Sequence, residues 1–299
     1  MSKIVISGGS GFVGSHVADV AIEQGHKVTV FDRYRPTDIN PKVNFYLGDL
    51  KDKDAVLDIV NKHDIIINLG GLLGTSESVV TPAPMVEVNI LGALNVFDAC
   101  RIYGKRGMQV GVGNYFMNNP YSISKSTAVR FALMYNKEHN TKIAIVRGLN
   151  AYGPRQHHRP VRKITPNVII PALLNKPITI YGDGEQIMDF IYVRDFAEII
   201  LRSVTMEHDI YDRQFEAGMG EDTTINWFVN KIVEMTGSKS EINHIPMRAG
   251  ETKNSVVKGD PTTLKPLNYS RKDMTEFDEG LQKTIDYYKT NLKDYPWDE

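Results

Sequence analysis

Cysteine is nearly missing from this chain. Cys100 is the only one in 299 residues, so no disulfide can form within it, and a reducing compartment is the default expectation. It shares an apolar helical stripe with Leu94 and Phe97, which marks it as core filler rather than a nucleophile. An excess of charge of one sign is also missing. Thirty-five lysines and arginines face 36 aspartates and glutamates, so the formal net charge is −1, and no global field recruits nucleic acid or an anionic membrane. No apolar run is long enough to span a bilayer. Strand-forming residues begin almost at the first position, which argues against a signal peptide and, with the lone cysteine, for a cytoplasmic protein. Internal repeats and low-complexity stretches are lacking as well.

What the sequence does contain is concentrated at its start. Lys3-Ile4-Val5-Ile6-Ser7 is a short β-branched run that leads into Gly8-Gly9-Ser10-Gly11-Phe12-Val13-Gly14. A helical stripe of Val13, Val17, Val20, Ala21 and Ile22 follows and closes at Gly25, and a second strand, Lys27 to Phe31, ends in Asp32. Gly9, Gly11 and Gly14 form the G-x-G-x-x-G pattern of a strand–turn–helix that binds a dinucleotide. Early glycines let backbone N–H groups approach a pyrophosphate, the last lets the helix pack against the strand, and the helix N-terminus favours the negative charge. Asp32 is placed to accept hydrogen bonds from the adenosine ribose. Its charge disfavours a 2′-phosphate, so NAD is expected over NADP, with Arg33 and Arg35 pulling the other way.

Strands and helices then alternate. Strands are expected at 43–47, 64–69, 108–112 and 142–147, and helices at 54–61, 85–103 and 121–139, the pattern of a doubly wound parallel sheet. After Tyr152-Gly153-Pro154 the texture changes to prolines and basic residues until about Lys176. A strand at 178–181 and helices at 194–204, 225–236 and 278–288 follow. The expected division is a Rossmann-type dinucleotide-binding domain over 1–154 and a smaller substrate lobe over 155–299, with a strand near 213–218 returning to the first sheet. Substrate should lie at the carboxyl ends of the strands.

Tyr121 and Lys125 form Tyr-x-x-x-Lys at the start of a helix, where residues four apart share a face. A tyrosine with its ordinary pKa near 10 is a poor base at neutral pH. An adjacent ammonium and an oxidised nicotinamide are expected to favour its phenolate, so Tyr121 could take a hydroxyl proton while the cofactor takes hydride. Together these motifs resemble the extended short-chain dehydrogenase/reductases, specifically the NAD-dependent nucleotide-sugar epimerases and dehydratases, over nearly the whole chain. On that resemblance, Gly8, Gly11, Phe12, Val13, Gly14 and Asp32 would bind NAD. So would Asp49 and Leu50 of Gly48-Asp49-Leu50 at the adenine, and Leu69, Gly70 and Gly71 after the fourth strand. Asn89, Tyr121 and Lys125 complete the set, Asn89 matching a structural asparagine and Lys125 holding the nicotinamide ribose. Arg147-Gly148-Leu149-Asn150-Ala151-Tyr152-Gly153-Pro154 is similar to the family's R-x-x-N-x-Y-G-P and makes Asn150 a substrate contact. Gly182-Asp183-Gly184-Glu185-Gln186 and Tyr192-Val193-Arg194-Asp195 match its substrate-lobe signature.

The chain departs from this pattern in three places. A Ser or Thr that bonds the reacting oxygen is expected near the fifth strand end, where Gly113 or Asn114 stands, and Asn114, Ser122, Ser124 and Thr75 are the candidates to replace it. The connection to Tyr121 is short, and the Asp-Glu pair of the dehydratases is missing, which ranks epimerisation above dehydration. Met188 stands where relatives carry a diphosphate-binding arginine. Arg155, His157, His158, Arg159, Arg162 and Lys163 are nearby bases, and Arg248 matches a second family arginine that reaches the phosphates. Thr75, Glu77, Asn150, Arg155 and Arg248 are therefore expected on the substrate. His157 and His158 lack a third ligand, so no metal site is expected. The resemblance implies an NAD-dependent nucleotide-sugar epimerase, with C4 the favoured carbon. Dehydratase, keto-sugar reductase and non-catalytic NAD-binding subunit are the alternatives. It also implies a homodimer paired through the helices at 85–103 and 121–139.

Overall fold

The computed structural model describes residues 1–36 and 39–297. Its centre is built from β1 (Lys3–Ser7), α1 (Phe12–Glu23), β2 (Lys27–Asp32), β3 (Asn44–Leu47), α2 (Lys53–Asn61) and β4 (Ile65–Asn68). Two short helical turns, α3 (Glu77–Val80) and α4 (Ala83–Met85), lead through a π-helical segment, Val86–Leu91, into α5 (Gly92–Tyr103). Then come β5 (Arg106–Val112), α6 (Pro120–His139), β6 (Lys142–Gly148) and β7 (Asn150–Tyr152). The second half supplies α7 (Ile164–Leu174), β8 (Ile178–Tyr181), β9 (Ile187–Met188), β10 (Phe190–Tyr192), α8 (Val193–Thr205) and β11 (Phe215–Ala217). It ends with β12 (Thr223–Thr224), α9 (Ile225–Thr236), β13 (Ile242–Ile245), β14 (Val256–Val257) and α10 (Phe277–Thr290).

Seven strands form one parallel sheet in the order β11-β6-β5-β4-β1-β2-β3. β1 pairs on one side with β2 and on the other with β4, so the winding reverses there and leaves a crevice at the carboxyl ends. Burial explains the sheet. Ile4, Ile6, Ile65 and Ile67 project into one core with Val17, Ala21, Ile199 and Ile200 of α1 and α8. Val5 and Ile66 project the other way, onto Val56, Phe97 and Ala128 of α2, α5 and α6. A third core joins Tyr152, Ile169, Phe190, Phe228, Phe277 and Tyr288 under the later helices.

A buried polar ladder crosses the carboxyl ends of three central strands. Ser7 Oγ donates to Asn68 Oδ1 at 2.6 Å, and Asn68 Nδ2 donates to Gln109 Oε1 at 2.7 Å. The strand near 213–218 does return, since β11 pairs in parallel with β6.

Two expectations need correction. The helix over 85–103 is not uniform: it opens with a π-helical segment that carries Asn89, whose side chain is bonded outward to Leu72 and Ser124. Within the proline-rich, basic stretch before Lys176, where no helix is expected from the sequence, the structure places α7 of eleven residues. Its prolines hid it. Pro166 sits in the first turn, where no helical N–H is needed, and Pro171 removes only one internal donor.

Candidate functional site

The glycine turn sits in the crevice. Gly8 has φ of +69°, and a Cβ there would lie 2.7 Å from Gly70 N, so two backbone segments meet with no side chain between them. A Cβ on Gly14 would strike the Gly8 carbonyl, which is why α1 can close on the turn. The first N–H groups of α1 lack helical acceptors and face this opening. Asp32 Oδ2 accepts from Ser10 N at 3.1 Å and Oδ1 from Arg33 N at 2.7 Å, which fixes the carboxylate at the rim of the cleft.

One continuous cleft of about 660 Å³ runs from this turn to the later lobe. Gly8, Gly11, Phe12, Val13, Gly14, Asp32, Asp49, Leu50, Leu69, Gly70 and Gly71 line one end. Asn114, Tyr121, Lys125, Thr75, Glu77, Asn150 and Arg248 line the same cleft. Two expected residues do not line it. Arg155 turns away: its guanidinium pairs with Asp19 at 2.7 Å and donates to His16 Nδ1 at 2.9 Å. His16, buried and beside that cation, is pushed down to about 4. Asn89 is 2 % exposed and serves as a brace. It accepts from Leu72 N at 2.8 Å and donates to Leu72 O at 3.1 Å and to Ser124 Oγ at 3.0 Å.

That brace positions the first turn of α6. Asn119 caps the helix by accepting from Ser122 N at 2.9 Å, and Ser124 Oγ donates to Tyr121 O at 3.0 Å. Tyr121 and Lys125 thus stand one turn apart on the cleft wall, with Lys125 only 4 % exposed. Burial raises the Tyr121 phenol to about 12 and lowers the Lys125 ammonium to about 8. Within the protein alone, desolvation disfavours both charged forms.

The end of β5 explains the absent hydroxyl. A Cβ on Gly113 would lie 2.8 Å from Val257 Cγ1 and 3.2 Å from Leu149 Cδ1, so the later lobe fills the space a serine would use. Of the four candidate replacements, Ser124 is committed to Asn89 and Tyr121, and Ser122 does not line the cleft. Thr75 lines it but donates to Glu251 at 3.1 Å. Asn114 lines it with only a 3.4 Å contact from Nδ2 to Met117 Sδ, and its Oδ1 is buried without a hydrogen-bond partner. Its amide is the one with capacity left for a ligand.

At the far end Arg248 pairs with Glu251 and lies over the Tyr181 ring at 4.7 Å. Glu77 Oε1 accepts from Arg162 N at 3.4 Å, and Arg162 Nη1 donates to the Tyr181 hydroxyl at 3.0 Å. Met188 lines the cleft where a cation is expected. Among the described residues no group of three His, Cys, Asp or Glu side chains forms a metal site, and no helix is long and apolar enough to cross a membrane.

A family model described as "NAD dependent epimerase/dehydratase family" matches residues 4–218. The chain belongs to this family. A Methanocaldococcus jannaschii relative, itself only provisionally assigned as a UDP-glucose 4-epimerase, is 28% identical over 309 residues, spanning 96% of this chain and 99% of its own. The solved UDP-glucose 4-epimerase of Thermotoga maritima with UDP-glucose superposes with a TM-score of 0.89 at 26% identity, covering 97% of this chain and 99% of that one. The Thermus thermophilus UDP-glucose 4-epimerase in complex with NAD gives 0.87 at 25% identity, covering 96% and 99%.

NAD is the cofactor of the epimerase/dehydratase family, and this chain's turn fits it. Side chains are absent where a pyrophosphate must approach, and Asp32 is fixed at the end of β2. Sequence reasoning passed over Val257 and Tyr181, which the fold places on the cleft. The contact at Gly113 generates a test. Gly113→Ser alone should impair turnover, because its Cβ displaces Val257. Gly113→Ser with Val257→Ala should recover it, as read by steady-state kinetics on both variants. Equal activity of the single variant and the parent would contradict the packing account.

Proposed function

We propose that this chain is an NAD-dependent nucleotide-sugar epimerase acting at C4. The observation that carries the reading is the single cleft in which Tyr121 and Lys125 stand between the glycine turn and the Arg248–Tyr181 end. The first end has the shape for a dinucleotide. The far end offers a guanidinium and an aromatic ring, suited to a phosphorylated nucleoside. Similarity to UDP-glucose 4-epimerases supports the same assignment.

When bound, oxidised NAD would be held by the glycine turn, Asp32 and Lys125 and would supply a reversible hydride acceptor, so that the overall change on the sugar is redox-neutral. Tyr121 takes the C4 hydroxyl proton as that carbon is oxidised and gives it back after the keto sugar has presented its other face. Lys125 offsets the phenolate charge and anchors the nearby ribose. Asn114 stands where the missing hydroxyl belongs, and its unpartnered Oδ1 would accept from the sugar hydroxyl. The strand end carries no Asp-Glu pair to drive loss of water, which favours epimerisation over dehydration. The absent serine is also what a non-catalytic NAD-binding subunit would show. Tight NAD binding without turnover on any nucleotide sugar would favour that second reading.

Tyr121→Phe should bind NAD as the parent does and lose about 100-fold or more in turnover. Full turnover in the variant would remove Tyr121 as the base.

We also propose a homodimer through α5 and α6. Leu91, which ends the π-helical segment just before α5, with Ile102 of α5, and Ile123 with Met134 of α6, are exposed apolar pairs, each eleven residues apart. Light scattering at micromolar concentration should give twice the 33.7 kDa chain mass, and a monomer would refute the proposal.

A further inference from the structure

One buried polar side chain holds two parts of the cleft at once. Asn119 is 1 % exposed, does not line the cleft and directly precedes Pro120 and Tyr121. Its Oδ1 accepts from Ser122 N at 2.9 Å and so caps α6. Its Nδ2 donates to Gly250 O at 2.9 Å. The partners fix which way the amide points, since a backbone N–H can only donate and a carbonyl can only accept. One end of this side chain therefore serves the turn that carries Tyr121, and the other serves a segment of the later lobe.

That segment is a strap. Residues 246–255 run from β13, which pairs with β8, to β14, which pairs with β9, so both of its ends belong to the later lobe. Its middle crosses to the wall made by α3 and α6. Gly250 has φ of +78°, and a Cβ there would lie 2.8 Å from Thr75 O, 3.0 Å from Val79 Cγ2 and 3.1 Å from Asn119 Cβ. Only glycine fits that seat. A second fastening lies beside it, where Thr75 Oγ1 donates to Glu251 Oε1 at 3.1 Å. Arg248 and Glu251 flank the seated glycine, line the cleft and pair with each other. The guanidinium offered to a ligand is thus tied, within two residues of chain, to the side chain that caps α6.

We propose that Asn119 is a positioning residue that couples the Arg248 end of the cleft to the turn that carries Tyr121. This assignment rests on the nucleotide-sugar reading above. A phosphorylated nucleoside that engages Arg248 orders the strap, and the Asn119–Gly250 bond passes that order to the first turn of α6. Asn119 stands behind the cleft wall and moves no proton. Its effect falls on kcat more than on KM, because a small displacement of the base costs rate while the ground-state contacts of the nucleotide persist.

The test is hydrogen exchange on the NAD-loaded protein, with and without the best-bound of UDP, dTDP, GDP and CDP, followed by steady-state kinetics. In the parent the diphosphate should slow exchange both in the strap and in the first turn of α6. Asn119→Asp keeps the acceptor that caps α6 and loses the donor to Gly250. In it the diphosphate should still slow the strap and should no longer slow the α6 turn. Asn119→Ser also keeps a cap, adds no charge and is too short to reach Gly250, so it should behave alike. Both variants should lower kcat about tenfold, change KM by a smaller factor and leave NAD affinity near the parent's. Gly250→Ala should lower kcat similarly, and combined with Asn119→Asp it should do little more than either alone. Parent kcat in both Asn119 variants, slowing of the α6 turn that survives Asn119→Asp, or a diphosphate that slows only the strap in the parent overturns the coupling alone. So does a loss of NAD affinity in step with kcat, which marks a plain structural cap. A parent protein that binds none of the four diphosphates overturns the nucleotide-sugar reading and the coupling with it.

Discussion

The site depends on the backbone-to-backbone contact of Gly8 with Gly70. These residues follow β1 and β4, the strands on either side of the point where the sheet reverses its winding. The crevice exists because neither carries a side chain. Beneath it, the Ser7–Asn68–Gln109 ladder fixes the strand ends with buried hydrogen bonds, and Ser7 Oγ also accepts from Gly70 N at 3.3 Å. Fully satisfied buried polar networks of this kind specify one arrangement, because any slip would strand a polar group without a partner. The floor of the cleft is therefore rigid before any ligand arrives.

The wall is held differently. Asn89 closes a two-way bond with the Leu72 backbone and reaches Ser124, so the segment after β4 and the first turn of α6 move as one. Tyr121 and Lys125 inherit their placement from that clasp. Burial works against ionising either group. On the proposed reading the protein contributes position, and the charge that would make Tyr121 a usable base comes with the oxidised cofactor.

Much of this was legible in the sequence, for reasons that differ by element. The glycine turn and Asp32 were readable because the constraint is local: strand, turn, helix and strand occupy one short unit. The parallel sheet was readable from runs such as Ile65–Asn68, buried on both faces. Tyr121 and Lys125 were readable by their spacing on one helical face. Arg155 was not, because its basic type says nothing about Asp19, which lies far away in sequence and captures it. Asn89 matched as a residue, but its outward bonds and the π-helical turn that carries it emerge only when α6 packs beside it. The missing serine read as a defect until Val257 was seen to fill its space.

The central claim of the proposed function is that hydride leaves and re-enters the same sugar carbon within one cleft. Its most direct test is product analysis on nucleotide hexoses deuterated at C4, run with the NAD-loaded protein and read by NMR and mass spectrometry. The account predicts a C4-inverted product that keeps its deuterium at C4, with no label in solvent and no net change in bound NAD. Deuterium washed into water, label recovered in released NADH, or an absence of inversion across the UDP-, dTDP-, GDP- and CDP-hexoses would contradict it.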